Sequence, residues 1–130
     1  MRKSSTKKLG DLELQILNVL WAQGAATVRQ VLEALPREPK PAYTTVLTMM
    51  RLMEEKGYLS RREQGRAHVY AARLQEKRVK RGLLHNLINN AFRGASGALL
   101  VQLLEEKELS GEELARIRSF IAGKVGEIKR

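Results

Sequence analysis

PAYTTVLTMMRLMEEKGYLSRREQGRAHVYAA, residues 41–72, changes its periodicity once, at Gly57, and that change decides the fold. Before Gly57 the spacing is helical, and the helix is expected to run from about Ala42 to Lys56. With Thr44 set at zero and about 100° per residue, Val46, Met49, Met50 and Met53 fall in one arc between roughly 140° and 240°, the face expected to be buried. Gly57 is placed to end the helix in the left-handed conformation. Beyond it, Tyr58–Glu63 and Arg66–Ala72 are short runs of alternating or branched residues joined by Gln64-Gly65, the form of a β-hairpin.

Upstream, Pro36 to Pro41 holds three prolines in six residues and reads as a loop. Thr27 followed by Gln30 has the form of a capping box, and Val28, Val31, Leu32 and Leu35 continue a short helix from it. Further back, Leu9, Leu12, Ile16, Val19 and Leu20 recur at helical spacing until Gly24, with Asp11 as the expected cap and Trp21 as a packing residue. Three helices, the third running straight into a hairpin, is the element order of a winged helix, a relative of the helix-turn-helix.

Downstream of Leu74 the pattern is purely helical. Val79, Leu83, Leu84, Leu87, Ile88, Ala91 and Phe92 form one apolar stripe, and residues 94–97 interrupt it. Leu99, Leu100, Leu103 and Leu104 form a second stripe. A third follows a Ser110 and Glu113 capping box and carries Leu114, Ile117, Phe120, Ile121 and Val125. A segment this short buries too little apolar surface to stand alone, so its stripes are expected to meet a second copy of the chain or to fold back on the first domain. The dimer is the simpler arrangement. The expected fold is mainly α with a small β-hairpin wing: a basic arm over residues 1–8, an N-terminal winged helix-turn-helix over 9–73, and a C-terminal helical dimerisation domain over 74–130.

The chain has 130 residues, with 24 Lys and Arg against 14 Asp and Glu, a net charge of +10 that calls for a polyanionic partner. Residues 1–73 hold 13 basic and 7 acidic side chains, so the larger excess lies in the first half. No apolar run approaches the roughly 18 to 20 residues of a membrane span, and the basic start lacks the apolar core of a signal peptide. A cytoplasmic location without membrane insertion is expected. With no cysteine and only two histidines, neither a metal site nor any other cofactor is expected. No nucleophile constellation, glycine-rich phosphate loop or HExxH motif is present, so no enzymatic activity is expected.

Opposite the methionine arc, Thr44, Leu47, Thr48, Arg51 and Glu55 fall within about 60° of zero on the same wheel. Short hydroxyls beside an arginine suit a helix pressed into a major groove: threonine can bond a phosphate or touch a thymine methyl, and arginine can grip guanine O6 and N7. Thr44, Thr48 and Arg51 are the base-reading candidates; Tyr43 and Thr45, near the helix start, are candidates for phosphate contact. In the hairpin, Arg61, Arg62 and Arg66 lie within six residues and could reach phosphates or the adjacent minor groove. The same residue types also suit a solvated helix face and a charged strand edge that resists aggregation, so both readings stay open at this point. A nonspecific nucleic-acid or ribosome-associated module, released by salt, is the alternative function.

Five strings in order, Leu9-Gly-Asp-Leu-Glu-Leu-Gln-Ile-Leu-Asn-Val-Leu-Trp21, Thr27-Val-Arg29, Ala42-Tyr-Thr-Thr-Val-Leu-Thr48, Glu55-Lys-Gly-Tyr-Leu59 and Gly65-Arg-Ala-His-Val-Tyr70, strongly resemble the BlaI/MecI family of penicillinase and methicillin-resistance repressors. Leu99 to Glu106 and Glu108 to Leu114 look like that family's dimerisation helices. The resemblance implies a homodimeric repressor that binds a dyad-symmetric double-stranded DNA operator overlapping a promoter, in a setting of β-lactam resistance. Dimer contacts are then expected from Leu83, Leu87, Leu99, Leu100, Leu103, Leu104, Ile117, Phe120 and Ile121. It also implies a membrane sensor protease as partner, with Gln102-Leu103 matching the bond cleaved on induction. Relatives cleaved in this way resemble one another by an Asn-Phe pair there, which this chain lacks. Leu52 stands where many relatives place a basic residue, and weaker phosphate contact is expected from that helix.

Overall fold

The computed structural model describes residues 9–129, so the basic arm expected at residues 1–8 lies outside the described residues. Helix α1 spans Asp11–Gln23. Its start is closed by Glu13, whose Oε1 accepts from the Gly10 N–H at 2.9 Å. Asp11 therefore sits in the first turn and not at the cap, where its charge still opposes the positive end of the helix. Gly24, at φ +87°, donates its N–H to Leu20 O at 2.7 Å and ends the helix. Helix α2 covers Val28–Ala34 and opens on the reciprocal box read from the sequence: Gln30 N donates to Thr27 Oγ1 at 3.1 Å, and Thr27 N donates to Gln30 Oε1 at 2.9 Å.

The proline-rich loop leads to α3, Tyr43–Glu55. Its end is tied by two backbone bonds, Gly57 N to Glu54 O at 3.0 Å and Tyr58 N to Met53 O at 2.9 Å, with Gly57 at φ +86°. This double closure needs the left-handed residue, which is why the period changes at Gly57. Strands β1, Leu59–Gln64, and β2, Ala67–Ala72, then pair antiparallel with Arg61 opposite Tyr70 and Gln64 opposite Ala67. The turn is thus Gly65-Arg66, one place later than expected. A two-residue hairpin turn demands positive φ at its centre, which Gly65 supplies at φ +65°, and the pairing of Gln64 with Ala67 keeps Gln64 in the strand and makes Gly65 the first turn residue. A lone bridge between Ala26 and Tyr70, with N···O distances of 3.0 and 2.9 Å, fastens the hairpin to the segment before α2.

Helices α4, Glu76–Ala91, α5, Ser96–Glu106, and α6, Gly111–Lys129, complete the chain. Ser110 and Glu113 cap α6 reciprocally, each bond 3.0 Å long. The chain divides into two compact units, with the division between Asn86 and Leu87, inside α4. The first unit has a continuous core. Ile16, Leu17 and Leu20 of α1 meet Val31 of α2, Val46, Met50 and Met53 of α3, and Leu59 and Tyr70 of the hairpin, all essentially inaccessible to solvent. Each side chain so covered contributes about 1.5–3 kcal/mol relative to exposure. The first unit also takes in the start of α4: Trp21 Nε1 donates to Leu74 O at 2.9 Å, and Val79 is buried. The second unit is built differently. No described residue of α5 or α6 is buried. Among the described residues, no helix is long and apolar enough to cross a membrane.

Candidate nucleic-acid interface

Helix α3 is held by its apolar arc, and the opposite side is left to solvent. Val46, Met50 and Met53 are buried, while Thr44, Thr45, Thr48 and Arg51 are exposed, and Tyr43 is 40% exposed at the first position. Two side chains depart from the wheel. Met49, expected in the buried arc, lies at that arc's edge and is only partly buried against the core. Leu47, expected outward, packs partly against the core and lines a recess beside Tyr70. The helix has Ala42 at its N-cap, with no side-chain bond to its first amides, so these N–H groups point ahead of the helix beside Tyr43 and Thr44.

A buried carboxylate fixes the other end of α3. Glu13 is only 6% exposed; besides capping α1 it accepts from Lys56 Nζ, just past the end of α3, through Oε2 at 3.0 Å. One acidic side chain therefore joins the start of the first helix to the end of the third. The signal the sequence offered was its place in line with Leu9, Ile16 and Leu20 on the apolar stripe of α1, which points to burial; the partner Lys56 leaves no trace in the periodicity.

The three hairpin arginines are not one cluster. Residues directly opposite in an antiparallel pair share a face, so Arg61 shares a face with the buried Tyr70, whereas Arg62 lies on the reverse face opposite Val69. Arg61 Nε lies 3.6 Å from Glu54 Oε1, and its guanidinium is 3.4 Å from His68 Nδ1, which ties it back towards the end of α3. Arg62 donates to Gln64 Oε1 at 3.1 Å. Arg66 occupies the turn and, with His68, forms one wall of a recess of about 290 Å³ whose other wall holds Arg29 and Tyr43. The Arg29 guanidinium lies 5.1 Å from the centre of the Tyr43 ring. Arg29 was not singled out by its own sequence context. It sits in the first turn of α2, and only the packing of α2 against α3 brings its charge to the front of α3.

All of the other expected contact residues but Leu83 fall in the second unit. Leu87, Leu100, Leu103, Leu104, Phe120 and Ile121 are exposed, Phe120 by 69%, and Leu83, Leu99 and Ile117 are half covered. Leu100, Ile117, Phe120 and Ile121 line an open apolar groove of about 790 Å³. The Gln102–Leu103 bond lies within α5, with Gln102 Nε2 donating to Glu106 Oε2 at 3.1 Å.

The sequence pattern of the penicillinase repressor family matches residues 9–123. The penicillinase repressor of Bacillus licheniformis is 26% identical over 114 residues, 88% of this chain and 89% of that one. The transcriptional regulator BlaI of Mycobacterium tuberculosis is 32% identical over 117 residues, 88% of this chain and 83% of that one. A solved structure of the DNA-binding domain of the repressor BlaI aligns with 53% of this chain and 84% of its own, at 26% identity and a TM-score of 0.48. A match that runs through both the hairpin unit and the helical unit leaves one assignment: the chain belongs to the penicillinase repressor family.

Proposed function

We propose that the chain is a transcriptional repressor that binds double-stranded DNA sequence-specifically, as a homodimer on a dyad-symmetric operator. The observation that carries this reading is the split of α3, in which Val46, Met50 and Met53 are buried while Thr44, Thr48 and Arg51 are exposed on the opposite side. A helix with that division presents donors and acceptors to base edges without disturbing its own core. Thr44, Thr48 and Arg51 read bases; Tyr43, Thr45, Arg62 and Arg66 hold phosphates, joined by Arg29. Arg61 contributes charge to the wing while its Glu54 pairing steadies it. The exposed apolar side chains of α5 and α6 support the dimer, since a second copy would remove them from water. Control of β-lactam resistance genes is the setting the relatives' names suggest. For a membrane sensor protease to cut at Gln102–Leu103, α5 would have to unwind there first, because this bond is helical.

Two recognition helices on one face of B-DNA require half-sites about one turn, or a multiple, apart. Selection from random duplexes should therefore return a palindrome. Arg51→Ala should then cost about 1–3 kcal/mol against the selected site and relax one position, whereas Arg62→Ala should weaken all sequences alike and flatten the salt slope by about one. Gel-shift titration measures both. Selection without a palindrome, together with unchanged binding of Arg51→Ala, would support a nonspecific nucleic-acid module instead.

A further inference from the structure

The exposed side of α3 has two chemically different halves. On the wheel used above, at about 100° per residue, Arg51 and Glu55 lie close to Thr44, whereas Leu52, Thr45 and Met49 lie near 80°, 100° and 140°, with Thr48 between the halves. Thr44, Thr45, Thr48, Met49 and Leu52 line a shallow concavity of about 350 Å³ that contains no charged side chain. Leu52 is 45% exposed, and Met49, at the edge of the buried arc, packs partly against the core and leaves the rest of its side chain at the surface beside it. A solitary exposed leucine would mean little. Here two large apolar side chains three residues apart are bordered by threonine, on a chain of net charge +10, where a cation would gain more from facing phosphate.

The apolar group that base edges display in the major groove is the C5 methyl of thymine. We infer that the concavity between Thr45, Thr48, Met49 and Leu52 is a seat for one thymine methyl per half-site, and that Leu52 is the residue that selects it. This rests on α3 being the base-reading helix, as proposed above. Arg51 and Leu52 are neighbours in sequence but lie about 100° apart around the helix, so they address different base pairs or different edges of one step. The arginine grips acceptors and the leucine tests for a methyl group, which gives adjacent positions independent preferences.

Uracil removes that methyl and leaves every hydrogen-bonding group of thymine in place. The test uses the full chain and a duplex selected from a random library, with each thymine replaced singly by uracil and binding followed by fluorescence anisotropy. At one thymine per half-site, wild type should bind about fourfold more weakly to the uracil duplex, the effect of one methyl group returned to water. Leu52→Ala should bind the thymine and uracil duplexes equally at that position, while Arg51→Ala should keep the fourfold difference. Since Leu52 is exposed, Leu52→Ala should also keep the wild-type melting temperature. A flat uracil profile in a protein that still prefers the selected duplex overturns the methyl seat and leaves base reading intact. A fourfold difference that persists in Leu52→Ala overturns the role given to Leu52. No preference for the selected duplex over random DNA overturns base reading, and the seat with it.

Discussion

Replacing Phe120 by alanine should dissociate the proposed dimer. In the single chain the Phe120 residue is 69% exposed at the edge of the apolar groove on α6. An aromatic residue offers roughly 200 Å² for burial, so about 140 Å² remains to be covered. At about 25 cal/mol per Å², full coverage would yield ~3.5 kcal/mol per ring. A two-fold interface contains the ring twice, giving an upper bound of ~7 kcal/mol for the pair. Incomplete coverage and the ordering of side chains on association reduce that figure, and about 3 kcal/mol is a conservative expectation, a rise of at least about a hundredfold in the dimer dissociation constant. Sedimentation equilibrium over a wide concentration range measures it directly. The reasoning is refuted if wild type is monomeric at every concentration, or if Phe120→Ala dissociates with the wild-type constant.

Three further substitutions test the architecture of the first unit. The Tyr70 hydroxyl is buried without a hydrogen-bond partner among the described residues, so Tyr70→Phe should hold or raise the melting temperature; a loss of several degrees would show that the hydroxyl is bonded. Gly57→Ala forces a Cβ into a left-handed position at φ +86°, at a cost of about 1–2 kcal/mol. Calorimetry should record a drop of several degrees, and an unchanged midpoint would show that the end of α3 relaxes at no cost. Thr27→Ala removes the acceptor for Gln30 N and should lower stability by about 1 kcal/mol in urea titration with unchanged slope; an equal midpoint would mean that the cap contributes nothing.

Helix starts and stops were legible because each depends on residues close in sequence. Thr27 with Gln30, Ser110 with Glu113, and the glycines at 24 and 57 announce local geometry that the packing then keeps. The hairpin was legible as a hairpin, but its turn was misplaced by one residue: Gln64-Gly65 and Gly65-Arg66 both put a glycine in the turn, and the strand register alone decides between them. The outward face of α3 was correct for its threonines and Arg51, since periodicity alone sets it. Partnerships across long sequence separations left no such trace. That Glu13 reaches Lys56, that Arg61 turns towards Glu54, and that Arg29 lies over Tyr43 each depend on how two elements dock, which single-element spacing does not encode. Asp11 shows the same limit on a smaller scale, because the backbone placed Gly10, and not the acidic residue after it, at the cap.

The bridge between Ala26 and Tyr70 sets how the wing can behave as a mechanical part. It grips β2 near its middle, opposite Arg61, and beyond that point the ribbon runs on through Arg62, Glu63 and Gln64 to the tip at Arg66. A beam held there and loaded at its end deflects most at the tip, so small tilts displace the Arg66 guanidinium by far more than they disturb the Tyr70 ring. On the proposed DNA-binding reading, a single fulcrum of this kind would let one rigid body accept duplexes of differing groove width, with the adjustment concentrated in the element that makes the fewest demands on the core.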